Sequence, residues 1–278
     1  MSGLLKADFR RVFKDKLLIV MGILAVVFAA ITPLLYAFLV SGTNDADSEM
    51  VMGMVSSYFS GKTQFFGSFS LGNNLGLIAP VLLAIVLCKD FSFGTVRNKI
   101  IAGKSRSAIF MSLFTTCSVV LVAVMMLHAF VTLGVSLIFF DYQPTPFTTS
   151  DLWYFLESLA FEVLVLLFIS ALLSWLCASM KNVGLVIVLY VAIAFILVMA
   201  GSIIQVVISI IEIAGDNENV LSVLRFLNRI NVGNSASYIG MGTEYTLEDV
   251  LYLTIPATVG ILGFTGLGLL KFNRKDLK

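Results

Sequence analysis

The sequence predicts an all-α integral membrane protein, and three observations carry that prediction. Only 13% of the 278 residues are charged, against about one in four in a soluble globular domain. Mean hydropathy is +0.99. Six apolar runs, 17–40, 66–88, 108–140, 153–177, 183–211 and 250–270, each supply the roughly 20 helical residues needed to cross about 30 Å of hydrocarbon. They are continuous rather than alternating, which argues against a barrel.

An even number of spans puts both termini on one side, and the cations choose that side. Lys6, Arg10, Arg11, Lys14, Lys16, Lys89, Arg97, Lys99, Lys104, Arg106, Lys181, Lys271, Arg274, Lys275 and Lys278 share it, 15 of the 18 Lys and Arg residues. Lys62, Arg225 and Arg229 lie opposite, in company with most of the acidic residues. The positive-inside rule then predicts cytoplasmic termini in a multi-pass protein of the cell membrane. The net charge of +1 carries no such information.

The first element, residues 1–16, alternates Leu4, Leu5, Phe9, Val12 and Phe13 with Lys6, Asp8, Arg10 and Arg11. That spacing suits a helix lying in the cytoplasmic interface. The run that follows is too long for a signal-peptide core, so no cleaved leader is expected. The third run would form about 50 Å of helix, which must tilt or project from the bilayer. In the 212–249 loop, Val220, Val223, Leu224, Leu227 and Ile230 mark one face of a short outer helix, with Asn217 or Asn219 as its cap and Gly233 after its end. A second short helix is predicted over Val51–Phe59. Cys88, Cys117 and Cys177 lack CxxC spacing and read as small buried hydrophobes.

Motifs for chemistry are scarce. Ser60-Gly61-Lys62-Thr63 and Gly103-Lys104-Ser105 end like phosphate-binding loops, but Ser56 and Asn98 stand where the first glycine is required. With one histidine, a helical zinc site of the H-E-x-x-H type is excluded. No G-x-S-x-G elbow is present. The chain is therefore expected to be no enzyme, to hold no metal, and to depend on another chain if ATP drives it. Two polar residues fall deep inside apolar runs: Glu162, about 15 Å of helix into the fourth, and His128 in the third. A carboxylate there costs several kcal/mol unless paired, protonated or wet. A Glu162–His128 hydrogen bond, a polar lining for a translocation path and a purely structural contact between helices all fit.

The most informative stretch is 90–106, DFSFGTVRNKIIAGKSR. Gly94 permits a turn, Thr95 can cap a new helix, Val96 and Ile100 share a face, and Gly103 stops it. The result is a short basic-flanked helix between two spans. Anchoring on anionic lipid would explain its charges but not its defined ends.

Six spans, an interfacial first helix and the pattern Asp90-x-x-x-Gly94-Thr95-Val96-Arg97-Asn98, with Arg106 beyond, resemble the permease subunit of type-2 ATP-binding-cassette exporters. Asp90 departs from the glutamate more common there. The resemblance implies that 90–103 is a coupling helix seated on a cytoplasmic ATPase, with Asp90, Gly94, Thr95, Val96, Arg97, Asn98, Ile100 and Arg106 at or near the docking surface. It implies two ATPase subunits, which bind the ATP and magnesium, and a second, identical permease chain. It fits export of amphipathic or antimicrobial peptides and no nucleic-acid partner. An ion-gradient-driven transporter and a membrane scaffold without transport are the rivals. The former would favour broken helices and midplane charges.

Overall fold

A computed structural model describes residues 2–41, 60–140, 147–180, 182–214, 218–242 and 244–274. The expected helix at Val51–Phe59 and the candidate cap Asn217 lie outside these residues. Everything regular that is described is α-helical: α1 (Ser2–Lys14), α2 (Lys16–Ser41), α3 (Gly61–Gly67), α4 (Ile78–Ser92), α5 (Thr95–Ile101), α6 (Arg106–Phe139), α7 (Thr149–Ser179), α8 (Val183–Ala214), α9 (Glu218–Ile230), α10 (Val232–Ser237) and α11 (Leu247–Arg274).

Five of these, α2, α6, α7, α8 and α11, are long and apolar enough to cross a membrane. The chain is thus a membrane-embedded helical protein. The continuous span expected over 66–88 is corrected. The helix stops at Gly67 and resumes only at Ile78, leaving a 15-residue α4. Apolar side chains at Phe66, Phe69, Leu71 and Leu75 kept the hydropathy high, but Ser68, Ser70, Gly72, Asn73, Asn74 and Gly76 between them favour turns. Past its far end α4 continues into α5 with a bend of 49°.

The bundle is built around α7. In its most apolar window 67% of residues are buried, against 11% for α8 and for α11, so α7 is enclosed by the other helices while α8 and α11 leave most of their surface uncovered. α11 lies along α7 and crosses the start of α6. It comes close because small residues face large ones, Gly260 against Phe168 and Gly268 against Phe110. Phe264 packs between Phe168, edge-on at 5.6 Å, and Trp175, stacked at 5.4 Å. At one end of the bundle, α7 begins with a capping box between Thr148 and Asp151, and Asp151 also pairs with Lys62 of α3 at 2.5 Å.

α4 meets α7 where Cys88 Sγ and Cys177 Sγ lie 3.0 Å apart. A membrane-permeant oxidant such as diamide is expected to join them within one chain, lowering its mass by two hydrogens. Intact-mass measurement checks this, and Cys177→Ser should abolish the change. Failure to cross-link in the unfolded-free protein would mean that α4 and α7 do not pack as described.

Candidate functional site

The α4–α5–α6 junction is built from backbone conformations that few residues adopt. Gly94 sits at φ 70°, in the left-handed region, and is the residue before the first turn of α5. Thr95 is the first helical residue and not the cap: no side chain caps α5. Its other end is closed by a Schellman arrangement, with Lys104 N–H donating to Lys99 O at 3.1 Å and Gly103 N–H to Ile100 O at 2.9 Å. Ser105 then caps α6 by accepting from Ala108 N–H. Val96 is buried and Ile100 packs against the core, as their shared face predicts.

Beneath this junction lies a cluster of charges. Asp90, 0% exposed, pairs with Arg11 of α1 and, at 3.2 Å, with Lys99 of α5. Lys99 also donates to Asp8 of α1 at 2.6 Å, and Asp8 accepts from Ser112 Oγ of α6 at 2.6 Å. Two carboxylates and two cations from three helices thus balance one another, and the Ser112 hydroxyl joins a fourth to them. Burial pushes the Arg11 guanidinium below its ordinary pKa, while Asp8 and Asp15 oppose the shift. Next to it, Lys89 of α4 reaches Asp15 at 2.6 Å. Burial alone would raise the Asp15 carboxyl, but the Lys89 hydrogen bond and the Leu17 amide outweigh it and hold it below the usual range. These bonds tie α1, α4, α5 and α6 into one unit.

The cluster revises the reading of single residues. Asp90, expected at the docking surface, is buried in ion pairs, and Lys99 is spent on two aspartates and so does not belong to a free basic flank. Arg106 donates to the carbonyls of Phe272 at 3.3 Å and Asn273 at 3.0 Å, tethering the end of α11. Arg97 and Asn98 are exposed, and beside them stand two bare apolar side chains, Phe93 at 78% and Ile101 at 75%. The first helix differs too. Its buried positions are Leu4, Asp8 and Val12, a stripe with an acid in the middle, while Phe13 is exposed. Asp8 on a stripe at i, i+4 and i+8 was the available signal.

The other candidate residues do not meet as a pair. Glu162 is fully buried and accepts from Asn74 Nδ2 at 2.9 Å, so its partner comes from the break between α3 and α4 and not from His128. One oxygen of Glu162 and Nδ1 of His128 are buried with no hydrogen bond. The polar groups of the break find partners on neighbouring elements. Leu71 N–H donates to Ala236 O, Ser70 Oγ to Ser237 O and Tyr190 Oη to Gly76 O. Replacing Glu162 by leucine is expected to cost about 1–3 kcal/mol by stranding the Asn74 amide, whereas Glu162→Gln keeps the acceptor and should leave the unfolding midpoint nearly unchanged. Thermal unfolding of both variants in detergent checks it.

A protein family described as a protein of unknown function, DUF2705, matches residues 17–278. The chain belongs to the DUF2705 family. No curated protein matches it. This DUF2705 chain presents a short, sharply bounded helix at a helix bend, clamped from below by buried ion pairs, and a buried carboxyl beside a broken helix.

Proposed function

We propose that this chain is the permease subunit of an ATP-driven exporter of the type-2 ATP-binding-cassette class. It would sit in the cell membrane with six spans, α4 and its bend counting as one, and with both termini in the cytoplasm. α5 would seat on a cytoplasmic ATPase subunit, one per permease, and two permease copies would enclose the path. ATP and magnesium would be bound by the ATPases alone. The observation that carries this reading is the rigid mounting of α5. Because Lys99 is held by Asp8 and Asp90, a push on α5 reaches α1, α4 and α6 together instead of being absorbed by a loop. Phe93, Arg97 and Ile101 give its outer side the mixed apolar and cationic character of a docking surface. Amphipathic peptides remain the substrate class that the resemblance favours.

The test is purification from native membranes. A stoichiometric ATPase should co-purify and be lost in an Arg97→Glu, Ile101→Asp variant that still folds. An ATPase that stays bound in that variant would sink the docking role, and a lone chain with gradient-driven flux would sink the exporter.

A second reading has an observation in its favour. The break at 68–77 and the buried Glu162 bonded into it by Asn74 are what a proton-coupled carrier would display. Under that reading Glu162→Gln abolishes flux in proteoliposomes without any ATPase, whereas the exporter reading leaves ATP-dependent transport intact in that variant. A scaffold without transport would show neither activity.

A further inference from the structure

The end of the bundle opposite the charge cluster holds a cavity of about 430 Å³ between α8, α9, α10 and the start of α11. Its volume lies within the range of small-molecule sites, about 300–1,000 Å³. We propose that this cavity binds an organic cation carrying primary amine or guanidinium groups.

The walls are built, not incidental. Tyr245 Oη accepts from Gly240 N–H at 2.9 Å and lies 2.8 Å from Ser158 Oγ, while its ring stacks on Tyr154 at 5.0 Å. Asn234 Nδ2 donates to the Asn228 carbonyl at 3.3 Å, and Ser235 Oγ to Arg229 O at 2.6 Å. The rings of Tyr238, Tyr245 and Tyr252 line the space.

Its polarity favours donors. Arg229 is the one cation in the lining, and it is committed to Glu248 at 2.5 Å and lies over the Tyr252 ring at 5.5 Å. The neighbouring Arg225 is likewise paired, with Glu212 at 2.6 Å. That leaves the carboxylates of Glu244 and Asp249 in the lining without a basic partner among the described residues. Asp249 spends one oxygen on Thr246, closing the start of α11. The second, independent sign is Asn228. It is 6% exposed and lines the cavity; its amide donates to Gln205 Oε1 at 2.8 Å, and its Oδ1 is buried with no donor. A buried acceptor without a donor is destabilising, and a ligand N–H relieves that cost. Carboxylates, an orphan carbonyl oxygen and aromatic faces together match an ammonium or guanidinium group on an organic body.

The test uses the purified full-length chain in nanodiscs of zwitterionic lipid, titrated calorimetrically with spermidine. Saturable binding at one site per chain is expected. 1,8-Octanediol, of similar length and uncharged, should not compete. Glu244→Gln should weaken spermidine binding at least tenfold, whereas Asn228→Asp, which supplies a charge where the orphan oxygen sits, should tighten it. Glu212→Gln, outside the lining, should leave it unchanged. Absence of saturable binding, equal binding of the diol, or an affinity indifferent to Glu244→Gln and Asn228→Asp would overturn the proposal. The lone chain suffices for this measurement, so its failure is distinct from failure to co-purify an ATPase.

Discussion

Gly240→Ala is expected to be among the most damaging single substitutions in this chain, lowering stability by on the order of 3–4 kcal/mol. Two costs add. Gly240 has φ 74°, where an L-residue pays about 1–2 kcal/mol. Its added Cβ would also collide with the Phe66 carbonyl oxygen. That neighbour is backbone, so it yields only if α3 shifts, and the Tyr245 hydroxyl that accepts from Gly240 N–H would move with it. Gly94→Ala is the built-in control. Its φ is 70°, nearly the same, but nothing lies within 4 Å of the added carbon. It should therefore lose only the conformational part, about 1–2 kcal/mol. Cys88, Cys117 and Cys177 are all buried, so their reaction with a thiol-specific dye during a thermal ramp reads the midpoint of both variants. Equal midpoints would show that α3 does not pack on the Gly240 turn.

Asp90→Ala should be comparably severe. It leaves Arg11 and Lys99 facing one another across a site that is closed to water on the Asp90 side. Removing one member of a buried ion pair costs about 3–5 kcal/mol, and the partial exposure of Arg11 moves the expected loss to the lower end, about 3 kcal/mol. Lys99→Met alone takes the cation from Asp8 and leaves Asp90 with Arg11 only, and should also be costly. The double variant should lose less than the sum, because each change removes the charge the other left unpaired. The same unfolding ramp gives the cycle. Additive losses would mean that Asp90 and Lys99 do not interact, and the rigid mounting of α5 would go with them.

What was legible in the sequence follows from how each feature is encoded. The long helices over α2, α6, α7, α8 and α11 are continuous apolar runs, and summed hydropathy finds these. α9 occupies Glu218–Ile230 as its periodicity predicts. Its face did not follow so simply: Val220, Val223 and Leu227 are exposed, and the buried member is the polar Asn228. α5 was legible because two glycines mark its ends. The break at 68–77 was not, since a hydropathy window averages Phe and Leu with the Ser, Gly and Asn that interrupt them. Asp8 was counted with its cationic neighbours as a surface charge, and its place on the buried stripe shows only when α6 is laid against it.

The sequence alone determined that the chain is a helical membrane protein, where most of its helices lie, and that a short helix follows the second apolar run. Local hydropathy and backbone preference encode these, and both act within a few residues. The tertiary structure decided the partners. Glu162 bonds to Asn74, 88 positions away, Lys99 to Asp8, 91 away, and Ser112 to Asp8, 104 away. A charge or amide inside the bundle has to find a complementary group. Which one it finds depends on which helices are neighbours, and that is set by packing over the whole chain.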